Sequence, residues 1–185
     1  MDPITADFGS TLAEPAAPVK TGYIFAGWDV EFPATMPVDG LTLNAQWAVV
    51  EYAINWDTDG DGIVDDTTNV AYDTVPVHED GAKAAIAEYT YVFSGWEPEI
   101  SAVRGTTTYT ALFDTVPNQY TVTFDTVGGS EIAPVTYAYG AVVAEPAVPS
   151  KEGYTFAGWD QPVGPANADV IYTAVYNKTA KAQAK

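Results

Sequence analysis

The chain has 185 residues, 47% hydrophobic and 13% aromatic, with a formal charge of -18 and no cysteine. The aromatic content excludes a disordered chain. The acidic balance opposes nucleic acid and anionic membrane as partners, and zero cysteines exclude disulfides and thiolate chemistry. No apolar run approaches a membrane span, so direct membrane insertion is not expected, and no signal-peptide pattern opens the sequence.

Residues 1–48 read as a first repeat. Leu12 to Thr21 contains Pro15 and Pro18, which exclude a regular helix interior and predict an extended crossover. Gly22-Tyr23-Ile24-Phe25-Ala26-Gly27-Trp28 follows. Tyr23 and Phe25 alternate with smaller partners, which is strand periodicity. Trp28 breaks that parity, and Gly27 before it predicts a bulge returning the indole to the aromatic side. A final strand is predicted over Leu41 to Trp47, with Leu43, Ala45 and Trp47 on one face.

Residues 49–117 form a second repeat. Its opening strand places Tyr52, Ile54 and Trp56 on one face. Asp57-Thr58-Asp59-Gly60-Asp61-Gly62-Ile63-Val64-Asp65 then sets carboxylates at alternate positions followed by glycine, as a calcium loop does. Asp57, Asp59, Asp61, the Ile63 carbonyl and Asp65 would supply oxygens to Ca²⁺. The twelfth position is Thr68, so the bidentate closing ligand is absent, and an acidic solvated turn is the stronger of the two readings. His78, beside Glu79 and Asp80, reads as a surface histidine. The alanine-rich, proline-free Asp80 to Glu88 suggests a short helix. The aromatic strand returns as Thr90-Tyr91-Val92-Phe93-Ser94-Gly95-Trp96, and a last strand spans Thr106 to Phe113.

Residues 118–176 form a third, complete repeat. Tyr120, Val122 and Phe124 match the earlier opening strand, and Gly128-Gly129 marks the turn after it. Gly153-Tyr154-Thr155-Phe156-Ala157-Gly158-Trp159 repeats the first aromatic strand almost unchanged. Pro3 to Asp29 aligns on Pro134 to Asp160 without a gap. Tyr120 to Ala133 has no counterpart ahead of Pro3, so the first repeat lacks its opening strand and keeps an open edge, which predicts fraying or pairing with another chain. Residues 177–185 read as a disordered tail. Three copies of one unit define the organisation. Tyr23, Phe25, Trp28, Tyr91, Phe93, Trp96, Tyr154, Phe156 and Trp159 are expected in the core, since a domain of about 60 residues needs large rings to bury enough apolar surface.

Tyr120-Thr121-Val122-Thr123-Phe124-Asp125-Thr126, Gly128-Gly129, Ala138-Tyr139-Gly140 and the Gly153 to Trp159 stretch together resemble the Listeria–Bacteroides repeat, the internalin-B-type B repeat of bacterial surface proteins. The resemblance covers the third repeat, most of the first, and the second with insertions. It implies a β-grasp-like fold, a mixed sheet packed on a crossover segment, in secreted or cell-wall-attached extracellular proteins, and it brings no catalytic residues. The expected architecture is mainly β: tandem small β-grasp-like domains, two complete and one lacking its first strand, as beads on a rod.

No glycine-rich phosphate loop, zinc motif or basic aromatic patch is present, and units this small do not enclose a triad pocket. The chain therefore reads as non-enzymatic, a spacer or weak adhesion module whose partners are neighbouring domains of its parent. The alternative is a module gripping a glycan or host surface protein through exposed aromatics. No cofactor is expected apart from the Ca²⁺ reading.

Overall fold

The structure, a computed structural model, describes residues 4–179. Its strands are β1 (Tyr23–Trp28), β2 (Ala45–Val49), β3 (Glu51–Asp57), β4 (Asp66–Ala71), β5 (Tyr89–Glu97), β6 (Thr107–Pro117), β7 (Gln119–Asp125), β8 (Val135–Ala138), β9 (Tyr154–Trp159) and β10 (Val170–Lys178). They form a two-stranded sheet, β1-β2, and two four-stranded sheets ordered β4-β3-β6-β5 and β8-β7-β10-β9. No helix occurs among the described residues. The chain divides into two compact units, residues 1–81 with 94–112, and residues 82–93 with 113–185.

Both four-stranded sheets place the first and fourth strands of a repeat at the centre, parallel to each other, and β4, β8 and β9 run antiparallel to their central neighbours. This is the β-grasp-like order. Parallel neighbours need a long crossover, and the proline-bearing segments supply it without a helix. In register, Trp56 faces Tyr109 and Phe124 faces Tyr172. The first sheet holds only the counterparts of the third and fourth strands, paired antiparallel with Phe25 facing Trp47.

The buried core sits on the central strands. Ile54, Trp56, Val103 and Tyr109 form one cluster, and Val122, Phe124, Val143, Ala166 and Tyr172 form the other. The aromatic strand is an edge strand in each sheet. Phe25, Trp28, Tyr91, Phe93, Trp96, Phe156 and Trp159 are half-buried, whereas Tyr23 and Tyr154 are 37% and 41% exposed. Trp96 and Trp159 pack against the two buried clusters, as expected of core residues, whereas the exposed Tyr23 and Tyr154 correct that expectation: period-two alternation names a face, but not which strand stands in the middle. The bulge does form. The register shifts between Phe25 and Gly27, Ala157 is skipped opposite β10, and the glycines before the indoles have φ of 112°, 148° and 135°. Trp28 and Trp159 consequently meet Phe25 and Phe156 edge-on at 5.1 and 5.2 Å.

Three expectations fail locally. Residues 80–88 are irregular rather than helical; a segment this short does not offset the cost of helix nucleation by itself. Asn177 and Lys178 belong to β10, not to a tail, while residues 180–185 lie outside the described residues. Residues 41–44 are not strand, and β2 begins at Ala45.

A common clamp ties each crossover to the loop before the final strand. Gly9 N–H donates to the Met36 carbonyl and Met36 N–H to that of Ser10. Asp73, Val103 and Thr74 make the same exchange in the second repeat, and Gly140, Ala166 and Ala141 in the third. The clamp residues Gly9, Asp73 and Gly140 all have positive φ, 77°, 66° and 73°, a conformation glycine adopts without steric cost. Asp73 is held there by Arg104, whose Nη2 lies 2.6 Å from its Oδ1.

Candidate functional site

The loop between β3 and β4 gathers the acidic side chains singled out in the sequence. Oxygens of Asp57, Asp59 and Asp61 lie within 4.8 Å of one another. Asp57 is 1% exposed. Its Oδ1 accepts from Gly60 and Asp61 N–H at 2.9 and 3.1 Å, and its Oδ2 from Gly62 N–H at 3.0 Å. Asp59 and Asp61 each accept a backbone N–H two residues on, from Asp61 and Ile63. Gly60 and Gly62, with φ of 70° and 90°, let the chain curl around these carboxylates.

Asp65 does not join the group. Its Oδ2 accepts from Thr58 N–H and Thr58 Oγ1, both at 2.6 Å, which holds its carboxyl below the ordinary 3.8, the hydroxyl bond contributing most. Ile63 is exposed. Thr68, at the twelfth position, faces inward and accepts the Trp56 indole N–H at 3.0 Å. The loop thus presents three converging carboxylates, with the later positions committed to the protein itself.

His78 corrects its surface reading. The ring stacks on Trp56 at 4.5 Å, meets Trp96 edge-on at 5.6 Å, and sets Nε2 3.4 Å from Asp66 Oδ2. Its neighbours are indoles, a carboxylate and the Glu79 carbonyl. Its lone position in a polar stretch gave no sign of this packing.

One lysine per repeat stands over two rings of the sheet edge. Lys20 Nζ lies 3.7 Å from the Tyr23 ring centre and 5.8 Å from that of Trp47. Lys83 stands over Tyr91 and Phe113 at 5.5 and 5.8 Å, and Lys151 over Tyr154 and Tyr176 at 5.0 and 5.1 Å. Cation–π attraction of this kind contributes about 0.5–1 kcal/mol at exposed sites. It also occupies a ring face that a stacking sugar would need.

The junctions between repeats are built on one residue each. In the first unit Val50 N–H donates to the Gly22 carbonyl, and Tyr72 N–H donates to the Val50 carbonyl, at 2.9 and 2.8 Å. The Tyr72 ring lies against Gly22, leaving no room for a Cβ there, and Arg104 stacks on that ring at 5.1 Å. In the second unit Asn118 N–H donates to Glu88 and Tyr139 N–H to Asn118 at 3.0 and 2.9 Å. The Asn118 side chain adds bonds to Ile86, Ala87 and Thr90, and Tyr120 OH donates to the Ala87 carbonyl. Each linking residue thus closes the last rung of one sheet and opens the first contact of the next. Nothing in the residue pattern marks these positions, because the links common to both junctions run through backbone N–H and carbonyl groups that almost any residue carries.

Residues 2–42 and 120–179, more than half of the chain, match the family model of the Listeria-Bacteroides repeat domain. The chain belongs to the Listeria-Bacteroides repeat family. A putative membrane protein of Evansella cellulosilytica is 28% identical over 171 residues, 85% of this chain and 26% of that protein. A putative Gly-rich membrane protein of the same organism is 31% identical over 85% of this chain and 20% of its own length. Internalin H of Listeria monocytogenes is 35% identical over 102 residues, 50% of this chain and 17% of that protein. The repeat chain therefore spans about a quarter or less of each of these relatives. Streptococcal High Identity Repeats in Tandem (SHIRT) domains 3-4 from a cell surface protein align with 69% of it at 18% identity and a TM-score of 0.33, covering 98% of that structure. No described helix is long and apolar enough to cross a membrane.

Proposed function

We propose that this repeat segment is a non-enzymatic spacer of a bacterial surface protein, extracellular and secreted or wall-attached, holding neighbouring domains of its parent apart. The observation that carries the reading is the one-residue junction. A link with both backbone groups bonded resists bending far more than a Gly/Ser tether. The cationic caps on Tyr23 and Tyr154 weigh against a sugar platform. The test displays an epitope ahead of the segment on a cell surface. Deleting repeats is expected to lower antibody access, while glycan and host-protein arrays probed with the chain stay blank. A saturable array signal removed by substituting Tyr23 or Tyr154 would replace the spacer with an adhesion module.

The three converging carboxylates favour a second role, calcium binding at Asp57, Asp59 and Asp61. A cation would relieve their mutual repulsion, and binding to the folded state alone adds about 2.7 kcal/mol at a hundredfold excess over Kd. Millimolar calcium is expected to raise the melting temperature of the native chain but not of a D59N/D61N variant. An unchanged melting temperature for the native chain retires the metal role.

A further inference from the structure

The chain enters and leaves a complete repeat through the parallel pair at the centre of its sheet. In the second repeat β3 starts at Glu51, directly after the junction residue Val50. β6 ends at Pro117, directly before the junction residue Asn118. The two strands overlap over only part of their length, Ile54 to Asp57 pairing with Thr107 to Thr110. Residues 51–53 leave the overlap at one end and residues 111–117 at the other. The third repeat copies this arrangement. Val122 to Asp125 pair with Val170 to Thr173, and residues 119–121 and 174–178 run out at opposite ends.

Parallel strands run in one direction, so tension on the chain draws β3 back along its axis and β6 forward along the same axis. The load lies across the ladder bonds, and all register pairs carry it together. An antiparallel pair pulled apart at one end, such as Glu51 with Ala71, opens pair by pair instead. Side chains add to the resistance. Trp56 stacks on Tyr109 at 5.0 Å and Phe124 on Tyr172 at 5.2 Å, each pair inside a buried cluster. Both ring pairs bridge the line along which the strands would slide, and sliding pulls them out of a close-packed site. Polar links cross the same line. Asn55 Nδ2 donates to Thr108 Oγ1 at 3.4 Å in the second repeat, and Thr121 N–H donates to the Asp169 carboxylate at 2.7 Å in the third. The acidic loop, His78 and the crossovers lie off this path and bear no load while the ladder holds.

We propose that the second and third repeats are shear clamps that bear tension along the chain, with the parallel ladders β3-β6 and β7-β10 setting the force at which each repeat unfolds. Forced unfolding is governed by the unfolding barrier rather than by equilibrium stability. Here the barrier is the simultaneous loss of one ladder and one buried ring pair. The spacer reading concerns bending, and this inference rests on it only for the source of the tension, a distal domain held while the other end is fixed.

The test pulls the full chain in two directions by single-molecule force spectroscopy, with pairs of introduced cysteines as handles; the native chain has no cysteine to compete. Glu51→Cys with Asp114→Cys loads the β3-β6 ladder in shear, and Glu51→Cys with Asn69→Cys peels β4 from β3. All three sites are exposed. At one loading rate the shear direction is expected to need roughly fourfold more force, because four register pairs share the load instead of meeting it in turn. The third repeat supplies an independent copy of the comparison. There Gln119→Cys is paired with Asn177→Cys for shear and with Thr136→Cys for peeling, again at exposed sites. Shear forces equal to or below the peeling forces in chains that keep the native amide spectrum overturn the clamp. Neither force depends on antibody access at a cell surface, so a failed spacer leaves this comparison standing and a failed clamp leaves the spacer untouched.

Discussion

The first and third repeats share a gapless run from Pro3 and Pro134 to their tryptophans, yet differ in what they bury. The third has a four-stranded sheet around Val122, Phe124 and Tyr172; the first has two strands, and no described residue up to Val50 is buried. The aromatic strand, its bulge and the crossover clamp form in both. What separates them is the opening strand. The ring-bearing strand therefore shapes an edge, and the opening strand, laid beside the final one, makes the interior. Large rings need two flanking strands before their area leaves water.

Equivalent substitutions sharpen this contrast most. Tyr172→Ala removes a buried ring stacked on Phe124 at 5.2 Å and is expected to cost about 3–5 kcal/mol. Leu43→Ala at the matching place is expected to cost only about 1 kcal/mol, because Leu43 is only partly buried. Denaturant unfolding followed by resolved amide signals of each sheet checks both. Equal costs would break the comparison.

The turn glycines reverse it. Gly22 and Gly153 have φ of 78° and 77°, but a Cβ on Gly22 would enter the Tyr72 ring, and one on Gly153 meets nothing within 4 Å. Gly153→Ala is expected to cost about 1 kcal/mol through backbone strain alone. Gly22→Ala should cost roughly twice that and loosen Tyr72, visible as faster exchange at its amide. Here the first repeat is the more demanding, since its aromatic turn is packed beneath the second repeat.

How much was legible follows from the same contrast. Alternation and internal copying disclosed most of the strands, the bulge and the absence of a helix at the prolines. They did not disclose that β1, β5 and β9 are edges, because sheet order depends on pairings far apart in sequence. The alanine-rich 80–88 stretch misled, since propensity over nine residues is weaker than tertiary context. His78 and the junction residues Val50 and Asn118 carried no pattern at all. Of the acidic loop, the convergence of Asp57, Asp59 and Asp61 was legible, whereas the diversion of Asp65 to Thr58 was not.

A smaller effect in the first repeat shows in acid. Asp29 accepts from the Asn44 side chain and backbone, and these bonds hold its carboxyl below the ordinary 3.8. A lowered native value means the contribution is complete above 3.8 and fades as pH falls through the lowered value. The Asn44 amide shift should titrate in that range below 3.8, and Asp29→Asn should abolish the titration. A flat Asn44 signal in the native chain would remove this cap from the account.

Hydrogen exchange of the unliganded chain tests the central claim most directly. Residues 41–44 and their counterparts 170–173 carry nearly the same local sequence role, and only the latter lie beside an opening strand. The account predicts rapid exchange at Thr42 to Asn44 and strong protection at Ile171 to Thr173. Equal protection of the two segments in a monomeric chain would contradict it.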